Sequence, residues 1–163
     1  MKKLPQRDSG RAKASNPGKI AGETIKRTRA VSDADLLKLA IEARNSAHAP
    51  YSRFQVGAAL LASDGRIFTG CNIENSSYGL TMCAERVAIF KAASEGVRRI
   101  LKIAVVADTE GPVSPCGACR QMIWEFSEPD TTVIMADLSS SVEKSKIKAL
   151  LPRPFDSSSL FRR

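Results

Sequence analysis

Three of the four cysteines lie in two clusters that no local structure can join, Cys83-Ala84-Glu85 and Pro115-Cys116-Gly117-Ala118-Cys119. Cys83 and Cys116 are 33 positions apart, so a fold that uses them together must bring the chain back to one place after a helix and a strand. The second cluster has the C-x-x-C spacing with which two side chains at a helix start grip one metal ion. Three thiolates would leave zinc a position for water, as in a catalytic site, whereas a structural zinc is closed by four protein ligands. Cys71 competes as that fourth ligand, but it lies in an expected strand away from a C-x-x-C partner, and buried free cysteine is common. On spacing alone both readings stand.

Glu85 follows Cys83 by two residues and can face metal-bound water from the same helical turn, taking a proton and delivering it elsewhere. A Glu in a first helical turn also serves merely to favour the helix dipole. Three thiolates exceed the charge of a divalent ion by one. Arg86 and Arg120, directly after Glu85 and Cys119, are therefore expected to hydrogen-bond sulfurs and withdraw charge, the alternative being two surface arginines on helices.

With 163 residues and 43% apolar composition, one core and one domain are expected. Four cysteines are too few for a disulfide scaffold at this length, and no apolar stretch resembles a signal peptide or a membrane span, so a cytoplasmic setting that keeps thiols free is expected. Of the net charge of +8, residues 1–31 carry +7, from nine Lys or Arg and two acids. This stretch has no apolar period and is expected to be a disordered extension before a domain at 32–155 and a tail at 156–163. Its composition also suits a transit peptide or a nucleic-acid-binding arm, while the nearly neutral body argues against a nucleic-acid partner.

Ser32 is a suitable cap for a helix from Asp33 to about Ala47. Phe54 to Leu61 and Ile67 to Ile73 read as strands joined at Ser63-Asp64-Gly65-Arg66, giving a hairpin. A helix is expected from Cys83 to about Glu95, a central strand over 100–107, a helix from about Gly117 to Ser127 and a strand over 131–136. A short strand near Val142 and a helix near Ile147 to Leu150 complete the body. Alternating helices and strands after a hairpin give a three-layer α/β/α sandwich around a mixed five-stranded sheet, with both clusters at helix starts on one sheet edge. There the peptide N–H groups favour thiolate charge.

From about Ala49 to Phe155 the chain resembles the small zinc-dependent cytidine deaminases of pyrimidine salvage, in their homotetrameric form. The resemblance runs through Tyr51-Ser52, Phe54 to Leu60, Gly70-Cys71-Asn72-Ile73-Glu74-Asn75, Cys83 to Arg86, Ser114 to Gln121 and Leu150-Leu151-Pro152. It implies one zinc ion on Cys83, Cys116 and Cys119, and hydrolytic deamination of cytidine or deoxycytidine with Glu85 as proton shuttle. It also implies ribose binding by Asn72 and Glu74, base packing by Phe54, reading of the base carbonyl by the Ala84 backbone, and pockets closed between subunits by Tyr78 and Phe155. The same residues suit deamination of another aminopyrimidine nucleoside such as blasticidin S. The lone His48 falls before Tyr51, where surface or capping duty is expected, and cannot supply the histidine ligand of the nucleic-acid-editing branch.

Overall fold

A computed structural model describes residues 31–160, so all of the expected N-terminal extension except Val31 lies outside the described residues. Helix α1 (Asp33–Arg44) starts with a capping box: Ser32 Oγ accepts from the Asp35 N–H at 3.1 Å, and the Asp35 carboxylate accepts from the Ser32 N–H at 2.9 Å. It stops at Arg44, short of the expected Ala47, because Asn45, Ser46 and Ala47 bond three residues back in tightened turns.

The strands are β1 (Val56–Ala62), β2 (Ile67–Cys71), β3 (Ile100–Ala107), β4 (Ser127–Ala136) and β5 (Val142–Lys146). They form one mixed five-stranded sheet in the order β2-β1-β3-β4-β5, with β3 and β4 parallel and the other pairs antiparallel. Alternation along the strands sorts side chains between two cores. Ala59, Ala104, Val106 and Ile134 pack under Leu36 and Ala40 of α1. Leu60, Ile103, Val105, Val133 and Met135 face α2 (Ala84–Ser94), α3 (Gly117–Glu125) and α4 (Ile147–Leu150). The fold is therefore the expected three-layer α/β/α sandwich. Leu60, Ile89, Ile103 and Ile123 are fully buried, each contributing on the order of 2 kcal/mol by removal from water.

Strand directions explain why the two clusters meet. Because β1 runs antiparallel to both β2 and β3, the latter two point the same way and end at the same sheet edge. The chain leaves β2 toward α2 and β3 toward α3, and both helices pack on one face, so both begin at that edge. Ligand sites in open α/β sheets gather at such carboxyl ends.

Two glycines set how closely the outer layers approach. A Cβ on Gly70 of β2 would come within 2.5 Å of the Ala88 nitrogen of α2 and would also collide with the Ala84 carbonyl. One on Gly57 of β1 would meet the Arg44 nitrogen of α1 at 2.6 Å. Only hydrogen fits at these crossings, and the Gly70 contact fixes the depth at which the start of α2 sits against the sheet.

Two strand ends differ from expectation for one shared reason. β1 begins at Val56 instead of Phe54, and β2 ends at Cys71 instead of Ile73. The Asn72 side chain accepts from the Val56 N–H and donates to the Phe54 carbonyl, both at 2.8 Å, so an amide side chain replaces ladder bonds there. Asn72 and Glu74 thus lie just beyond the strand, and not at alternate positions within it.

Candidate active site

Cys83 and Cys116 are the N-cap residues of α2 and α3, and neither sulfur is spent on capping its helix. Cys119 follows in the first turn of α3, fully buried. The three Sγ atoms lie within 4.8 Å of one another, with Cys83 and Cys116 at 3.9 Å. Tetrahedral zinc–thiolate bonds of about 2.3 Å require sulfurs about 3.8 Å apart, so the donor set and its spacing fit a zinc ion. Cys71 is not in this cluster; its thiol donates to the Ser46 carbonyl at 3.3 Å.

Glu85, in the first turn of α2, is only 4% exposed. Burial, reinforced by the charge of Cys83, pushes its carboxyl above the ordinary range. A hydrogen bond from Cys119 and the nearby Arg86 guanidinium bring Cys83 down to about 5. The bond to Cys83 and burial push Cys119 up.

The two arginines diverge. Arg86 Nη2 donates to Cys83 Sγ at 3.5 Å and to the Thr81 carbonyl at 3.2 Å, as expected for a group offsetting thiolate charge. Arg120 does not take the expected sulfur partner. Its Nε donates to the Pro115 carbonyl at 2.8 Å, and its Nη1 and Nη2 donate to the Leu150 carbonyl and Ser114 Oγ, each at 2.9 Å. One helical step turns its side chain toward the loop before Cys116 and the end of α4, where carbonyls wait for donors.

The thiols open into a cavity of about 250 Å³. Cys83, Cys116 and Glu85 form one wall, Asn72 and Glu74 another, and Phe54, which is 41% exposed, stands at the rim. Val56, Val105 and Val113 give it apolar lining, and among the described residues no Lys, Arg or His lines it. Glu74 Oε2 accepts from the N–H groups of Tyr51 at 2.9 Å and Ser52 at 3.2 Å, and its other oxygen accepts from the Ser52 hydroxyl. These bonds hold its carboxyl below the usual range, the Ser52 hydroxyl most strongly.

Ala84 is fully buried against the sheet and does not line the cavity with its side chain. Tyr78, 76% exposed, borders an adjoining hollow with Tyr51, their rings 6.1 Å apart edge to face. Phe155, 61% exposed, lies away from the cavity of its own chain. Sequence reasoning did not single out Ser52, Thr81, Val113 or Ser114 as site residues, although they line the cavity. It also missed that the His48 main chain bonds the Asn72 carbonyl at 3.0 Å and the Glu74 N–H at 2.8 Å, bracing the wall they form. The His48 signal is not local, since its partners lie more than twenty positions away.

A thiol cluster that opens from two helix starts into a cavity, with a buried acid alongside, defines a zinc-dependent enzyme on an α/β/α scaffold. The profile of the cytidine and deoxycytidylate deaminase zinc-binding region matches residues 30–136, and the chain belongs to that family. It is 55% identical over 129 residues to a cytidine deaminase of Sporosarcina psychrophila, covering 77% of this chain and 95% of the relative. A cytidine deaminase of Halalkalibacterium halodurans is 57% identical over 120 residues, covering 74% of this chain and 91% of that one. The crystal structure of cytidine deaminase from Burkholderia pseudomallei superposes with a TM-score of 0.75 at 46% identity, covering 77% of this chain and 100% of that chain. The enzyme is a hydrolytic deaminase, and its three-thiol cluster is consistent with one zinc ion per chain.

Proposed function

We propose that the chain deaminates cytidine and deoxycytidine to uridine and deoxyuridine, releasing ammonia, in pyrimidine salvage. The observation that carries this reading is the cavity itself, in which Cys83, Cys116 and buried Glu85 share a space with Asn72 and Glu74 that no cation lines among the described residues. Two carboxyl groups, with no Lys, Arg or His beside them among the described residues, suit an uncharged nucleoside and disfavour a 5′-phosphate. Cytidine deaminase relatives at 55% and 57% identity support the same assignment.

Cys83, Cys116 and Cys119 are the zinc ligands in this reading. Zinc bound there supplies a Lewis acid that lowers the pKa of water at neutral pH. Glu85 takes one proton of the attacking water and gives it to pyrimidine N3, then carries the other from the new C4 hydroxyl to the departing amine, so that ammonia leaves and the C4 carbonyl forms. Its burial suits that task, because a carboxyl raised above its usual range holds and releases a proton nearer neutrality. Asn72 retains one amide N–H beyond the Phe54 bond, and with the Glu74 carboxylate it orients the ribose hydroxyls. Phe54 packs on the base, while the Ala84 main chain at the α2 start reads the base carbonyl. Arg86 offsets the excess thiolate charge.

The working form is a homotetramer in a reducing cytoplasm, with Tyr78 and Phe155 covered where subunits meet. Exposure of both rings supports assembly. Among the described residues no helix is long and apolar enough to cross a membrane. Purified protein of measured zinc content, incubated with cytidine, deoxycytidine, cytidine monophosphate and blasticidin S, is expected to turn over the first two. Turnover of the antibiotic alone would defeat the assignment. Light scattering on the same sample tests the tetramer.

A further inference from the structure

Helix α3 carries Cys116 at its N-cap and Cys119 in its first turn, and its next residues grip the C-terminal segment. Arg120 bonds the Leu150 carbonyl at 2.9 Å, and the Trp124 indole donates to Asp156 Oδ2 at 3.2 Å. Between them Gln121 holds Phe155 from both sides. Its Nε2 donates to the Phe155 carbonyl at 2.7 Å, and its Oε1 accepts from the Phe155 N–H at 3.0 Å.

Little else fixes this stretch. Pro152, Arg153 and Phe155 are exposed, and among the described residues the hydrogen bonds reaching 151–155 from outside come from Ile147 and Gln121. A primary amide carries a donor and an acceptor side by side, so it can satisfy an N–H and a carbonyl of the same residue as a strand neighbour would. The Phe155 ring therefore stands clear of its own chain, 61% exposed, on a main chain pinned at both polar groups.

We propose that Gln121 is a positioning residue, whose amide sets where the Phe155 ring is presented to the nucleoside pocket of a second copy of this chain. The inference rests on the reading above, in which Phe155 closes a neighbouring pocket. It adds that the helix bearing two metal-ligand positions also holds the main chain of the closing ring. Gln121 touches no substrate; it acts through Phe155.

The test is steady-state kinetics with cytidine on the zinc-loaded enzyme, comparing Gln121→Ala, Gln121→Glu, Phe155→Ala and the double variant Gln121→Ala/Phe155→Ala. Both Gln121 variants are expected to raise KM about tenfold, the scale of losing one or two neutral hydrogen bonds, with a smaller change in kcat and unchanged zinc content. Gln121→Glu keeps the shape and the acceptor but sets a carboxylate oxygen against the Phe155 carbonyl, so it should not restore KM. The double variant should show the KM of Phe155→Ala with no further rise, because the two residues act as one. Additive effects, a parallel loss of zinc, or wild-type KM in Gln121→Ala beside a raised KM in Phe155→Ala would overturn the role of Gln121. An unchanged KM in Phe155→Ala would instead remove the pocket-closing reading beneath it.

Discussion

The starts of α2 and α3 look alike in sequence and differ in use. Each has a cysteine at its N-cap and an arginine a few residues on, but Arg86 reaches the Cys83 sulfur while Arg120 spends its guanidinium on Pro115, Ser114 and Leu150. The α2 start carries the buried acid and the arginine that reaches a sulfur. The α3 start carries two thiols and the bonds that lock their loop to the end of the chain. Proximity to a ligand in sequence therefore does not make an arginine electrostatic; helical phase and the nearest unpaired carbonyl decide its partner.

The largest expected effect lies at the α2 start. Glu85→Gln keeps size and burial but cannot shuttle the proton, so kcat should fall about 10³-fold with zinc content retained. Loss of zinc together with activity would show that Glu85 instead supports the metal site.

Next come the two arginines, where the contrast is most easily broken. Arg86→Gln should lower turnover about tenfold or more, as for partners that tune a metal ligand, with a small change in Tm. Arg120→Gln should do the reverse, costing about 2–4 kcal/mol of stability through its lost charge-assisted bonds and changing kcat per bound zinc far less. Equal kinetic effects from both would erase the distinction. Thermal unfolding and turnover on the same samples decide it.

A smaller effect tests how the α2 start is seated. Gly70→Ala forces a methyl against the Ala84 carbonyl and Ala88 nitrogen, and should cost about 1–3 kcal/mol, with activity falling because Glu85 moves with the helix. Unchanged Tm and activity would mean that the crossing is looser than its geometry shows.

The smallest lies on the far face. Asp33 bonds Lys102 at 2.6 Å and Lys144 at 2.7 Å, pinning α1 to β3 and β5, and the Lys102 and Lys144 hydrogen bonds hold its carboxyl below the usual range. A depressed carboxyl stabilises the fold above its unfolded pKa of about 4, and that contribution fades as pH falls through the lower folded value. Asp33→Asn should lower Tm by about 2–4 °C near pH 7, with the difference shrinking below about pH 4 and no change in KM. A constant difference across pH would assign the effect to packing.

Much of this fold and site was legible before any coordinates. The Ser32 cap, the apolar run through Ala58, Ala59 and Leu60, and the cysteines at two helix starts are written in stretches of a few residues. Such spacings determine local structure because helix bonds span four residues and strand faces alternate every second one. The family-like motifs likewise marked Cys83, Glu85, Cys116 and Cys119 without a structure.

Only the tertiary structure decided the rest. It trimmed both strands at Asn72, turned Arg120 to Leu150 thirty positions away, joined Gln121 to Phe155 across 34 positions, and left Cys71 outside the thiol cluster. The physical reason is common to all four. A polar side chain takes whichever unpaired donor or acceptor packing delivers to it, and that delivery depends on the order and direction of strands, which no short spacing encodes.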